Sequence, residues 1–142
     1  MINKIDTFSD NRADRFFDIF PVLDGQITVS VIRPNQFSGW HKHFLQTDYF
    51  CVVQGTLDVL TVDKAGKLRI STLDSLSPTV IEIPPDSIHS WLSKESSVTL
   101  IYYLTRKHDE SDEFRLNTSE VLELLDNDSS SLLRKKLSLA SL

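Results

Sequence analysis

The chain reads as one all-β domain, a barrel or sandwich of short antiparallel strands followed by a short helical C-terminus. Three observations predict this. Short apolar-rich runs recur from Ile27 to Thr105, and turn signals separate them about every 8–12 residues, a rhythm that excludes alternating strand and helix. From about Asn117 the apolar spacing becomes helical. A length of 142 residues fits one domain with one hydrophobic core. The resulting division is an N-terminal segment 1–24, a β region 25–116 and a helical segment 117–142.

The first segment joins turn-rich pieces, such as Ser9-Asp10-Asn11, to one apolar cluster, Phe16-Phe17-Asp18-Ile19-Phe20, which Pro21 closes. Gly25-Gln26 opens Ile27-Thr28-Val29-Ser30-Val31, whose alternation puts Ile27, Val29 and Val31 on one face of a strand. Pro34-Asn35 and Ser38-Gly39 are turn signals. Tyr49 to Val53 is an apolar strand ended by the tight turn Gln54-Gly55. Thr56 to Asp63 and Lys67 to Thr72 flank the hairpin loop Lys64-Ala65-Gly66-Lys67, and Leu73 to Pro78 reads as a loop. Thr79 to Ile83 is a strand stopped by Pro84-Pro85, because proline lacks the N–H that a central ladder needs. Ser90 to Ser93 and Val98 to Thr105 complete the β region. Asn117-Thr118-Ser119-Glu120 has the form of a helix start with glutamate three residues on. Val121, Leu122, Leu124 and Leu125 follow at helical spacing, and Ser129-Ser130-Ser131 separates them from a second amphipathic helix, Leu132 to Leu137. Its basic residues lie toward the C-terminal half, where the helix dipole favours them.

Composition narrows the function. Fifteen basic against twenty acidic residues give a net charge of −5, which disfavours nucleic acid, since phosphate binding needs a basic patch. No apolar run approaches the roughly 20 residues of a membrane span, and Met1 to Asp14 lacks the basic-then-apolar order of a signal peptide. Cys51 is the single cysteine, so an internal disulfide is excluded. Its apolar surroundings predict a buried, inert thiol. A cytoplasmic protein is the expectation.

Three of the four histidines fall in two short motifs. The first is Gly39-Trp40-His41-Lys42-His43, followed by Asp48 and Gly55, and the second is Pro84-Pro85-Asp86-Ser87-Ile88-His89. Histidine is the usual metal ligand and the usual proton-transfer group near neutral pH. At positions i and i+2 of a strand, His41 and His43 share a face. His89 can join them, on this reading, if the sheet closes into a barrel.

These motifs resemble those of the cupin superfamily, H-x-H, three or four residues, E, six residues, G, and then P-x-G-x2-H-x3-N. His41, His43, Asp48 and Gly55 fit the first, with Asp in place of Glu; Pro84, Asp86, His89 and Ser93 occupy the second, with Asp for Gly and Ser for Asn. The resemblance spans roughly residues 25 to 105 and implies a single-domain cupin β-barrel, a jelly roll, and a homodimer. A narrower resemblance joins Gly39-Trp40-His41, Gln46-Thr47-Asp48, Ile83-Pro84-Pro85, Ile101-Tyr102 and the run His108 to Glu113. It is similar to dTDP-4-dehydrorhamnose 3,5-epimerase and the smaller sugar-nucleotide ketoisomerase cupins. The resemblance implies His41 as general base and Tyr102 as general acid, acting without a cofactor on a nucleotide-linked 4-keto-6-deoxy sugar. His43, His89, Trp40, Trp91 and Arg33 are then candidates for shaping the substrate pocket. Where the epimerases carry Arg-Gly before the base, this chain has Ser38-Gly39, and a lysine is replaced by Asp48. Cations for a diphosphate would come from Arg33, Lys42, Lys67, Arg69 or Arg106, none assigned by motif.

Two other classes stay open. His41, His43, Asp48 and His89 form a three-His, one-carboxylate set that suits a divalent transition metal, implying an oxygenase or a metal-assisted isomerase. The third class is a non-catalytic binder of a small molecule. Each site residue also has a plainer reading. Tyr102 could be core with its hydroxyl satisfied, and Trp40 and Trp91 could be core aromatics rather than stacking platforms. Asp48 could be a ligand, a histidine orienter or an edge polar residue. His108 and the run Asp109 to Glu113 read as a solvated loop.

Overall fold

A computed structural model describes residues 1–11, 14–17, 19, 20 and 24–140. Asp18 and Pro21 of the N-terminal cluster lie outside them. The elements in order are β1 (Ile2–Lys4), β2 (Asp6–Ser9), β3 (Asp14–Phe17), β4 (Gln26–Ile32), β5 (Trp40–His43), β6 (Asp48–Gln54), β7 (Thr56–Val62), β8 (Leu68–Asp74), β9 (Thr79–Ile83), β10 (Ile88–Ser93), β11 (Val98–Leu104), β12 (Glu113–Leu116), α1 (Thr118–Leu124) and α2 (Asn127–Leu139). One antiparallel sheet runs β1-β9-β6-β11-β4 and a second runs β12-β5-β10-β7-β8; β2 and β3 form a separate hairpin. The first segment therefore contains three short strands, which the apolar cluster alone did not predict.

The two large sheets pack face to face over a core that includes Phe50, Val52 and Leu100 from the first and Leu57, Val59 and Leu73 from the second. Among the described residues no ladder joins them into a closed barrel, so the architecture is a jelly-roll sandwich. This corrects the condition placed on His89. It reaches His41 because β10 and β5 are neighbours in one sheet, with His89 and His41 directly opposite in the ladder.

The outer face of the second sheet is covered by the helices. Trp40, Leu60, Leu68 and Leu92 pack there against Val121 and Leu133. The cap at Asn117 forms as expected, its side chain accepting from the Glu120 N–H. The serine run does not separate two helices but lies inside α2. Asp126 caps that helix by accepting from the Ser129 N–H at 2.7 Å. The buried Ser129 Oγ in turn accepts from the Leu68 N–H at 2.9 Å, satisfying part of the edge strand β8. Strand β8 also runs two residues further than expected, through Leu73 and Asp74. The outer face of the first sheet holds Cys51, buried as predicted, with Phe20, Val80 and Tyr103.

Two local features position the site. Asp86, where the motif has glycine, adopts φ +65°, a left-handed conformation that aspartate tolerates better than most residues. Its N–H donates to the His43 carbonyl at 2.7 Å, tying the second motif to the first. Strand β4 is the edge of the first sheet, and its apolar face points outward: Ile27, Val29 and Val31 are 53%, 59% and 72% exposed. Its polar face, Gln26, Thr28 and Ser30, points into the molecule.

Asp58 on β7 is wholly buried against Lys136 of α2, Thr72 Oγ1 at 2.6 Å and Lys94 at 3.5 Å. Burial works to raise its pKa, but hydrogen bonds from Lys136 and Thr72 outweigh it and hold the carboxyl below its ordinary 3.8. Lys136→Met leaves that charge with the Thr72 hydroxyl and the half-exposed Lys94, and we expect a loss of about 3 kcal/mol at pH 7 by urea denaturation. Because the folded pKa is lowered, the stabilisation is present above pH 3.8 and lost below it. The gap between wild type and variant should therefore narrow as the pH falls through that value. A gap of constant size down to pH 3 would contradict the assignment.

Candidate active site

A cavity of about 310 Å³ lies between the sheets. Its walls include Thr28 and Ser30 of β4, Tyr102 of β11 and Asp48 of β6 from the first sheet, facing His41 and His43 of β5, Trp91 of β10 and Glu113 of β12 from the second. The period-two alternation of each strand decides who faces inward. On β5, His41 and His43 point to the cavity while Trp40 and Lys42 point away. On β10, Trp91 shares its face with His89.

The three histidines and Asp48 converge so closely that their ligand atoms all lie within 4.8 Å of one another. His43 Nε2 is 3.6 Å and His89 Nε2 3.3 Å from the same oxygen, Asp48 Oδ2. His43 Nδ1 bonds the Asp112 carbonyl at 3.2 Å, and His89 Nδ1 bonds the Ser87 carbonyl at 2.9 Å. A carbonyl only accepts, so in both rings Nδ1 carries the proton. If the rings are neutral, both Nε2 atoms present lone pairs to a carboxylate. Among the described residues the buried His89 Nε2 meets no hydrogen-bond partner. Three acceptors meeting in a buried space call for a positive charge between them, a proton or a metal ion.

His41 packs against His89 with ring centroids 4.2 Å apart and the rings tilted by 58°. Burial, followed by the charges of His89 and His43, lowers its pKa from 6.5 to about 3. The ring is therefore neutral, with a lone pair free to accept a proton, throughout the physiological range. Burial pushes the Asp48 carboxyl up, but the His89 ring, the Gln46 amide and His43 outweigh it and leave the pKa lowered. Gln46 Nε2 donates to Asp48 Oδ1 at 2.5 Å and so fixes the orientation of the carboxylate.

The other predicted residues are distributed unevenly. Tyr102 lines the cavity, in edge contact with Phe50 at 5.9 Å between centroids. Trp91 lines it too, its backbone N–H held by Ser38 Oγ at 3.0 Å. His89 is sealed from it at 1% exposure and acts on the cavity through Asp48 and His41. Trp40 is buried on the opposite face of β5, packed under the helices with its Nε1–H directed to Thr118 Oγ1. Arg33 is exposed beyond β4, and neither it nor Lys42, Lys67, Arg69 or Arg106 lines the cavity.

The run Asp109 to Glu113 is not a solvated turn. Asp112 is buried, and its carboxylate accepts the backbone N–H groups of Phe44, Leu45 and Gln46 at 2.9–3.1 Å. It thereby anchors the loop between His43 and Asp48. The charged run concealed this role, since its partners are backbone donors that sequence does not display. Glu113 begins an unpredicted strand, β12, whose residues Glu113 and Arg115 pair with His43 and His41. His108 is exposed as expected, but it also borders the cavity.

No protein-family model matches the chain, and no curated protein matches it. Solved structures do. The chain is similar to ChmJ, a 3'-monoepimerase from Streptomyces bikiniensis solved with dTDP-quinovose (TM-score 0.75, 18% identity, over 92% of this chain and 80% of that one). It is similar to a dTDP sugar isomerase from Desulfovibrio desulfuricans (TM-score 0.75, 17% identity, 92% and 94%). It is also similar to the rmlC epimerase of Mycobacterium tuberculosis (TM-score 0.71, 21% identity, 81% and 67%).

Asp112→Ala removes the only side chain holding three consecutive N–H groups, and we expect a loss of about 3 kcal/mol. Amide hydrogen exchange at residues 44–46 should accelerate more than exchange in β7. Unchanged exchange at those three amides would show that the loop is held by something else. At these identities the likeness establishes architecture: the chain has the cupin-type jelly-roll fold that its two histidine motifs predict.

Proposed function

We propose that the protein epimerises or isomerises a nucleotide-linked 4-keto-6-deoxy sugar of the dTDP type. The observation that carries this reading is that His41 and Tyr102 line one cavity from opposite sheets. A 4-keto group acidifies the adjacent C–H by delocalising the resulting charge into an enolate. Neutral His41 takes that proton as general base and becomes imidazolium, while the electron pair moves onto the keto oxygen. Tyr102, across the cavity, returns a proton to the carbon from the other face and inverts it; the imidazolium then releases its proton to solvent and the phenolate recovers one. In a ketoisomerase the proton returns instead to the neighbouring atoms, and the same base serves. No cofactor is needed for either outcome. The sugar specificities in the names of the solved neighbours agree with this class.

Dissolving protein and a dTDP-4-keto-6-deoxy sugar in D2O tests the roles. Wild type should exchange a carbon-bound proton for deuterium. His41→Ala should slow this by about 10²–10⁴-fold, and Tyr102→Phe should exchange but retain configuration. Exchange by His41→Ala at the wild-type rate would overturn the base assignment.

A metal-dependent reading draws on one observation, the convergence of three acceptors at His43, His89 and Asp48, with His41 beside them. Those four side chains fit a divalent transition ion in donor type and spacing. Such an ion would supply Lewis acidity toward a keto oxygen. Mass spectrometry of protein purified without added metal separates the readings. About one equivalent, lost in His43→Ala, favours the ion; less than about a tenth of an equivalent removes it.

A homodimer accompanies the proposal. The apolar stripe Ile27, Val29 and Val31 lies on an edge strand with one free side, a surface that a second copy would cover. Light scattering should give about twice the 16.2 kDa chain mass for wild type and a monomer for Val29→Lys. A monomeric wild type would refute it. A cytoplasmic setting fits the lone, buried thiol, and among the described residues no helix is long and apolar enough to cross a membrane.

A further inference from the structure

A nucleotide sugar brings a diphosphate, yet none of the residues lining the cavity is a lysine or arginine, and two of them, Asp48 and Glu113, are acidic. At about 310 Å³ the cavity is also near the lower limit for a ligand pocket. The diphosphate must therefore sit at the rim while the sugar occupies the interior, and its charge must be met there.

The rim on the second-sheet side is the edge strand β12. Glu113 and Arg115 stand two residues apart on it and share a face, opposite His43 and His41 in the ladder. Arg115 is close enough to His41 for its charge to help keep that ring unprotonated. Its side chain is 71% exposed and pairs with Glu113 Oε1 at 3.0 Å. An exposed pair of this kind is weak and readily exchanged. We infer that Arg115 is the diphosphate-binding residue, leaving Glu113 to grip the phosphates as the sugar enters beside His41; this rests on the nucleotide-sugar reading above. A guanidinium offers two parallel donors to phosphate oxygens, which an ammonium cannot reproduce. On this account Glu113 holds the arginine at the rim while the site is empty, and its carboxylate is then free to accept a sugar hydroxyl.

Calorimetric titration of the full chain with dTDP and with thymidine tests the inference. Wild type should bind dTDP well above thymidine. Arg115→Ala should weaken dTDP about 10- to 100-fold, leave thymidine unchanged and flatten the salt dependence; Arg115→Lys should recover part of the loss. Because Arg115 is exposed, matching thermal melts will show that both variants are folded. Equal dTDP affinity in wild type and Arg115→Ala overturns the role of Arg115 and leaves the nucleotide-sugar reading standing. Wild type that binds no dTDP overturns both.

Discussion

The site depends on two imidazoles and one carboxylate sharing a buried space. His43 and His89 have each committed Nδ1–H to a backbone carbonyl, so both turn Nε2 toward one oxygen of Asp48. The arrangement spans the sandwich, because the histidines come from the second sheet and the aspartate from the first. A cation held between them, a proton or a metal ion, would join the two sheets at the floor of the cavity. Burial, together with positive charge there, keeps the pKa of His41 low. The neutral state of the His41 ring thus comes from its surroundings rather than from the ring itself.

Around this centre the chain uses backbone as much as side chains. Asp112 gathers three consecutive N–H groups, Gln46 grips Asp48, and Asp86 gives its own N–H to the His43 carbonyl. The Asp112 and Asp86 contacts join segments distant in sequence, the Gln46 contact is local, and together they confine the stretch from His43 to Asp48. A mobile loop there would separate the two halves of the cluster. The helices stabilise the opposite face of the same sheet, where Trp40 and the buried Asp58–Lys136 pair fasten α1 and α2. Support for the chemistry on one face therefore extends through the sheet to the packing on the other.

Much of this was legible in the sequence. The two histidine motifs place the cluster, because identity and spacing suffice once strand alternation is applied. The same alternation decides between the tryptophans. Trp91 follows His89 by two and faces the cavity, while Trp40 precedes His41 by one and must face away. The illegible part has one cause, the partner lying in a distant edge. Asp112 looks like a member of a solvated charged run until the amides of residues 44–46 close on its carboxylate. Strand β4 misleads in the same way, since its apolar residues suggest the core, yet an edge position turns them outward. The serines of α2 resemble a break because their role is to satisfy β8, far away in sequence.

The inverted sense of β4 has an evolutionary consequence. Thr28 and Ser30 touch whatever enters the cavity, yet they belong to a strand bonded on one side only and contribute no side chain to the central packing. Replacing either one alters the shape and polarity of the chamber with little disturbance to the scaffold. Ligand preference can then drift along this wall by neutral steps, while the histidine floor, fixed from both sheets, stays constant. Divergent descendants of such a chain would share the histidine cluster and differ in the ligand they admit.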